Sequence, residues 1–308
     1  MHDVIGVGAN SVDYVYRLPA YPRPDGPTAK MQIGSHLVSC GGQVATTLAT
    51  CAAMGLQTTY VGATGNDDNG RRIREELKRR GIDTRDAVVR DTINPYAVIL
   101  LDDATGERIV LWDRHPMLAL EPGEIPASAI AQARLLHVDD VDQDASIDAA
   151  SIARKAGIPV TSDIERMTER TGELVAAVTV PIFAEHVLEP LTGERDFERA
   201  LRTLRREHSG LLCVTLGARG AMLLDGDHLH HEPAHQVNVV DTTGAGDVFR
   251  GAFIYSLLRG DAPAAMLQFA NAAAAISCTR LGAISSVPTL EDLFLQKDEP
   301  ERRDHELK

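Results

Sequence analysis

The residues best placed to do chemistry lie in one string, Val240-Asp241-Thr242-Thr243-Gly244-Ala245-Gly246-Asp247, which runs straight into a helical-length apolar segment at 248–258. Two glycines one residue apart let the backbone turn tightly enough to point free amides outward. Because a helix begins there, its partial positive charge adds to those amides, and the loop suits a phosphate or a developing oxyanion. Asp247 falls in the first helical turn beside the same amides. A carboxylate there can take the proton of a hydroxyl that attacks a phosphate held by the loop. An acidic residue is also an ordinary feature of a first helical turn, so the string alone leaves capping and catalysis both open.

Other clusters read as structure. Ile5-Gly6-Val7-Gly8-Ala9-Asn10-Ser11 mimics a dinucleotide fingerprint, but Ser11 replaces the third glycine and no acidic residue follows at the required distance. His228, His230, His231 and His235 sit in a short hairpin without the carboxylates that would complete a metal site. The arginines at 71, 72, 74, 79 and 80 read as a solvated helix face paired with Glu75 and Glu76.

These residues need a frame, and the apolar patterning supplies one. A buried strand is expected over 4–7, a helix over 43–54 with Gly55 as its stop, a strand over 58–61 and an amphipathic helix over 67–80. Pro19, Pro22, Pro24 and Pro27 break any helix between 14 and 38. Residues 95–112 alternate polar and apolar around a 102–106 turn, as a hairpin does. Strands at 135–138, 158–161, 180–183 and 211–215 then alternate with helices at 146–156, 168–178 and 196–207. A hairpin at 221–224 and helices at 245–258 and 263–279 close the pattern. Apolar strands alternating with helices predict an α/β fold whose parallel sheet is covered on both faces. The reading is one domain over 1–295, with lid segments at 12–38 and 93–115 and a frayed, charged tail at 296–308.

Composition bounds the function. The 308 residues are 44% hydrophobic and 24% charged, enough for a large buried core. With 31 basic and 44 acidic residues the net charge is −13, which disfavours nucleic acid and anionic membrane as partners. No apolar stretch is long enough to span a bilayer, and the start lacks the basic region and cleavage site of a signal peptide. Cys40, Cys51, Cys213 and Cys278 are widely spaced and read as reduced thiols of a cytoplasmic protein.

The string at 240–247 resembles the C-terminal signature of the PfkB/ribokinase family of carbohydrate kinases. Gly41-Gly42-Gln43-Val44-Ala45 and Gly62-Ala63-Thr64-Gly65-Asn66-Asp67-Asp68-Asn69-Gly70 resemble its N-terminal signature. Thr215-Leu216-Gly217-Ala218-Arg219-Gly220 looks like its nucleotide loop, and Ser277-Cys278-Thr279-Arg280-Leu281-Gly282-Ala283 like its closing segment. Together these cover nearly the whole chain.

The resemblance implies a ribokinase-like fold, with a small β-sheet lid, and ATP- and Mg2+-dependent phosphorylation of a primary hydroxyl on a small sugar. Asp247 would be the general base, and the amides of Gly244, Ala245 and Gly246 the anion hole. Asp13, Gly41, Gly42 and Thr46 would face the sugar. Thr215, Gly217 and Gly220 would line the triphosphate, with Asn271 near the adenine. Asp241, Thr243 and Ser286 match positions that hold a monovalent cation, such as K+, in some members. Family members frequently pair through the lid sheet, which implies a homodimer.

The chain also departs from the family pattern. Thr46 stands where many members have an asparagine that contacts the sugar. The Asn-x-x-Glu element involved in magnesium handling is absent from Phe183-Ala184-Glu185-His186-Val187, which leaves Glu185 or Glu189 to act through water. Gly106-Glu107-Arg108 and Glu189-Pro190-Leu191-Thr192-Gly193 look closer to the ketohexokinase and sulfofructose kinase branch than to ribokinase. The acidic run Asp139-Asp140-Val141-Asp142 leans towards a neutral ketose, pentose or nucleoside, against Arg108, Arg114 and Lys30, which would read an anionic group. A nucleoside kinase would need aromatic lining, for which Tyr14, Tyr16, Tyr96 and Trp112 are at hand. A sugar-binding regulator without turnover is the remaining alternative.

Overall fold

The computed structural model describes residues 2–105 and 108–297. Its strands are β1 (Val4–Val7), β2 (Ser11–Leu18), β3 (Ser35–Gly41), β4 (Thr58–Val61), β5 (Ala63–Gly65), β6 (Val88–Arg90), β7 (Tyr96–Asp102), β8 (Arg108–Asp113), β9 (Leu135–Asp139), β10 (Val160–Ile164), β11 (Val180–Ala184), β12 (Leu212–Thr215), β13 (Ala221–Asp225) and β14 (His228–Glu232). Its helices are α1 (Gln43–Ala53), α2 (Asp68–Arg79), α3 (Ala127–Ile130), α4 (Gln143–Lys155), α5 (Thr171–Ala177), α6 (Glu185–Thr192), α7 (Phe197–Arg205), α8 (Ala245–Arg259), α9 (Pro263–Cys278) and α10 (Leu290–Lys297).

The main sheet has the order β14-β13-β12-β11-β10-β9-β1-β4. From β12 to β4 the strands are parallel, and β13 and β14 add an antiparallel edge. Every residue of β1, β4, β9 and β10 is buried, as a parallel sheet with two covered faces requires. Successive side chains feed opposite cores. Val4 packs with Val44, Leu48, Phe253 and Ile276 on one side. Ile5 and Val7 pack with Ile130, Ala149, Leu174 and Val187 on the other.

Two glycines set the depth of α1. A methyl on Gly6 would lie 2.6 Å from Val44 Cγ1, and one on Gly251 would lie 2.7 Å from the Thr47 carbonyl oxygen. Hydrogen at both positions lets α1 press against β1 and α8 press against α1. The start of α8 is thereby held at the carboxyl edge of the sheet.

A second sheet, ordered β3-β2-β7-β8, stands apart from the first. Asp13, Ala97 and Trp112 are in register across β2, β7 and β8, so they share one face. Val15, Ile99 and Val110 form the next row of that face. Its apolar part, Val15, Ala97, Ile99 and Leu101, is a small core of its own. A two-stranded sheet of β5 and β6 completes the described residues.

Several boundaries differ from the expectation. The strand expected at 158–161 is β10 at Val160–Ile164, because the polar residues Ser162 and Asp163 continue it while fully buried. Helix α6, for which no helix was expected, runs through Pro190, a residue that ordinarily breaks one. Helix α4 starts at Gln143 and α5 at Thr171 rather than at 146 and 168. Helix α10 carries the chain to Lys297, two residues into the expected tail, while 298–308 and the turn residues Gly106 and Glu107 lie outside the described residues.

Candidate active site

In open α/β sheets, ligands bind beyond the carboxyl ends of the strands, where the strand order reverses. Here that point is β1, between β4 and β9, and the chemistry-bearing residues gather around it and around β10, one strand beyond β9. Gly244 caps α8 in the left-handed region at φ 76°, and a methyl on it would lie 2.8 Å from Ala283 Cβ. Both demands select glycine. Asp241 fixes the loop from behind: one carboxylate oxygen accepts from the Thr243 amide and the other from the Gly282 amide, each at 2.9 Å. The closing segment is therefore stapled to the anion loop.

Asp247 is buried in the first turn of α8, and the Thr47 hydroxyl donates to its backbone carbonyl at 3.2 Å. Its carboxylate shares a cluster with Asp163 on β10 and Glu165 just beyond that strand, with one oxygen from each within 4.8 Å of the others. Burial, with Glu165 beside it, pushes the Asp247 carboxyl well above the usual carboxylate range. Burial raises Asp163 likewise, against the attraction of Arg250. Arg250 Nη2 is 2.6 Å from Asp163 Oδ1, in ion-pair contact but off the line of a hydrogen bond.

The expected sugar residues converge on the same place. Asp13 is buried and accepts from the Ser11 hydroxyl at 2.8 Å, and burial raises its pKa to about 6. A methyl on Gly41 would lie 2.3 Å from Asp13 Oδ2 and 3.3 Å from Ala283 Cβ. Ala283 thus touches both the Gly41 side and the Gly244 side, which puts the acid-bearing face of the second sheet beside the anion loop. Gly42, at φ 98°, passes so close to Asn10 that a methyl would lie 2.4 Å from its Cα. Thr46 is fully buried beside Gly244, with its hydroxyl unpartnered. The side-chain amide of Gln43 and the hydroxyl of Thr243 are buried and unpartnered as well.

The second sheet roofs this floor. Arg108, at one end of β8, donates to the Thr242 hydroxyl, and at the other end the Arg166 guanidinium lies 5.2 Å from the Trp112 ring centre. The acidic run below is mostly spent on backbone. Asp139 accepts from the Ala9 amide at 2.6 Å and the Val141 amide at 3.0 Å, and burial raises its pKa to about 7. Asp140 accepts from the Glu165 and Arg166 amides at 2.6 and 2.5 Å. These carboxylates tie loops together rather than presenting free charge to a ligand, which removes much of their weight against an anionic substrate.

In the loop expected to take the nucleotide, Thr215 ends β12, and its hydroxyl donates to the Phe183 carbonyl at 3.3 Å. Gly217 and Gly220 have φ of 56° and 88°, and a methyl on Gly220 would lie 2.0 Å from the Glu232 carbonyl oxygen. The Asn271 amide donates to the backbone carbonyls of Glu232 and Pro233 at 2.9 and 3.2 Å. It anchors α9 to the end of β14. Ser286, near the Asp241 staple, gives its hydroxyl to the Ala283 carbonyl at 2.8 Å.

The cluster that sequence reasoning missed is Asp163, Glu165 and Arg250. Glu185 and Glu189, the acids expected to reach magnesium, are tied instead to Arg219 and to Arg195. Asp163, Glu165 and Asp247 fit the ion better. They offer hard oxygen donors from three side chains, and both Asp163 oxygens lack a hydrogen-bond donor. The four histidines form no such group, since the carboxylate trio is the only metal-capable cluster among the described residues.

With the geometry in view, comparison with known proteins defines the class. Residues 9–290 match the pfkB family carbohydrate kinase description, and the chain belongs to that family. It is accordingly a phosphotransferase with an alcohol group as acceptor. An ATP-dependent ribose-1-phosphate kinase of Halopiger xanaduensis is 29% identical over 94% of this chain and 95% of its own. A nucleoside kinase of Methanothermobacter thermautotrophicus is 26% identical over 93% and 92%. The structure of Arabidopsis thaliana ribokinase complexed with ribose and ATP superposes with a TM-score of 0.82 at 25% identity, covering 96% of this chain and 98% of that one. The fold is ribokinase-like, and no helix among the described residues is long and apolar enough to cross a membrane.

Proposed function

We propose that the protein transfers the γ-phosphoryl group of ATP to a primary hydroxyl of a small sugar of the pentose or ketose type. The observation that carries this is Ala283, which packs against both Gly41 and Gly244 and so brings Asp13 and the anion loop onto one site. Asp13 orients the sugar by accepting from its hydroxyls. The attacking oxygen bonds to the γ-phosphorus as the bond to the β,γ-bridging oxygen breaks, and ADP leaves with that electron pair. The hydroxyl proton passes to the Asp247 carboxylate. The amides of Gly244, Ala245 and Gly246 receive the negative charge that gathers on the phosphoryl oxygens. Asp163 and Glu165 would hold Mg2+, which neutralises phosphate charge when bound, and leave the Asp247 carboxylate free to take the proton. Thr215, Gly217 and Gly220 line the triphosphate, and Asp241, Thr243 and Ser286 mark the place for a monovalent cation such as K+.

The second sheet acts as the lid over a single domain, and its closure excludes water so that hydrolysis does not compete with transfer. All six residues of β8 are exposed, including Leu111 and Trp112, which supports pairing of two copies along that edge. Four free cysteines, three of them buried, suit the reducing cytoplasm.

The nucleoside alternative loses support on the lid. Tyr14 and Tyr96 lie on the face opposite Asp13, packed edge-to-face on each other, and Tyr16 stacks on His36. Only Trp112 of the four aromatics shares the Asp13 face. A sugar bearing an anionic group gains support from Arg108 and Arg166, neither of which has a carboxylate hydrogen-bond partner among the described residues.

The test is ADP release from Mg·ATP across pentoses, ketoses, sugar phosphates, sugar acids and nucleosides, with and without K+. Release with one sugar class, abolished in Asp247→Asn, supports the reading. Sugar-stabilised protein that releases no ADP with any of them overturns it in favour of a binding protein.

A further inference from the structure

Arg250 lies three residues after Asp247 in α8 and has no exposed surface at all. A guanidinium in a protein interior is costly unless its charge is matched and its donors are used. The charge is matched: Nη2 lies 2.6 Å from Asp163 Oδ1 and 3.8 Å from Glu165 Oε1. The donors are not used, since Nε, Nη1 and Nη2 all lack a hydrogen-bonded acceptor, and both oxygens of Asp163 lack a donor.

Its position explains the arrangement. A methyl on Gly246 would lie 2.7 Å from Arg250 Nη1 and 3.7 Å from Glu165 Oε1. The guanidinium therefore rests against the last glycine of the anion loop, with the acidic cluster around it. Facing it from other elements are His137 on β9, Cys213 on β12, and Asp163 and Glu165 at the end of β10. Burial keeps His137 neutral, so Arg250 is the one fixed cation among these groups.

Resting on the kinase reading, we infer that Arg250 is a positioning residue of the phosphoryl-transfer centre. Its permanent charge holds Asp163, Glu165 and Asp247 in one arrangement, and it adds positive potential beneath Gly246, where charge gathers on the transferring phosphoryl group. A purely structural ion pair in the same core would tolerate apolar replacement of both partners together. A positioning cation would not.

The experiment uses the full chain with Arg250→Met and Arg250→Lys. Calorimetry compares affinity for Mg·ADP with affinity for Mg·ADP plus aluminium fluoride, a mimic of the transferring phosphoryl group. Arg250→Met is expected to bind the mimic at least tenfold more weakly while Mg·ADP changes less than threefold, and Arg250→Lys should recover most of the loss. With a sugar that the wild type turns over, kcat should fall about 100-fold at nearly constant sugar KM, the scale seen when one oxyanion donor is removed. Equal weakening of both ligands, or Arg250→Lys no better than Arg250→Met, overturns the inference. Should Arg250→Met not fold, Arg250→Gln removes the charge instead while keeping a polar side chain. It should show the same selective loss, and its failure to do so counts equally against the inference. Wild-type protein that binds no Mg·ADP would sink the kinase reading itself.

Discussion

Replacing Asp13 by Asn tests whether binding chemistry is held at the expense of stability. Burial raises the Asp13 pKa from 3.8 to about 6, against the Ser11 hydrogen bond and with Asp241 adding repulsion. A raised folded pKa means that the native state favours the protonated acid. Stability from this group is fully present below pH 3.8 and is lost as pH rises through about 6. A shift of this size corresponds to about 3 kcal/mol above pH 7. Asn is neutral, nearly the same size, and keeps an oxygen for the Ser11 hydroxyl. Asp13→Asn should therefore be more stable than wild type by about 2–3 kcal/mol at pH 8, with the gain vanishing near pH 4. Urea unfolding of both proteins from pH 4 to 8 isolates the effect, because every other titrating group contributes alike to both. Sugar KM should rise about 100-fold in the same variant, since hydrogen bonds to a charged acceptor are worth about 1.5–3 kcal/mol each. A variant no more stable than wild type at pH 8, or a difference that ignores pH, would refute the reasoning.

Three further outcomes follow from the same geometry. Asp247→Asn should lower kcat by about 10²–10⁴ while the sugar still protects the protein in thermal-shift measurements. Gly41→Ala places a methyl 2.3 Å from Asp13 Oδ2, so it should raise sugar KM by displacing that carboxylate, with ATP KM unchanged in steady-state kinetics. Glu165→Gln removes the most accessible acid of the cluster and should raise the Mg2+ concentration for half-maximal rate several-fold, checked by a magnesium titration at fixed ATP.

The frame of the protein was legible because its signals are local. The runs at 4–7, 58–61 and 135–138 are buried on both faces, and Gly55 ends α1 with φ 90° as its position suggested. The amphipathic helix expected over 67–80 is α2, with Ile73 and Leu77 buried on its inner face. Its arginine face is only partly solvated, since Arg74 turns back to the Thr64 hydroxyl and the Gly65 carbonyl. Pairing in the second sheet needed long-range register: β2 lies parallel to β7, about 80 residues on, and no local pattern encodes that choice.

The candidate site divides along the same line. The anion loop announces itself because its glycines, helix start and acid are contiguous. Asp163 and Arg250 stayed hidden because the fold buries both completely, although Asp163 follows the polar Thr161 and Ser162 as a strand end would and Arg250 breaks the apolar run of α8 as an exposed face would. In the structure the two residues answer each other across the boundary between β10 and α8, and their charges cancel. An acid at the carboxyl end of a buried strand, beside a glycine loop that begins a helix, is therefore a reason to look for its counter-charge on that helix. The register of the second sheet bears on the proposed ligand in the same way. A shift of one residue in β2 would turn Asp13 away and present Tyr14 and Tyr16 instead, so the choice between a compact sugar and an aromatic base lies in strand register as much as in the residues themselves.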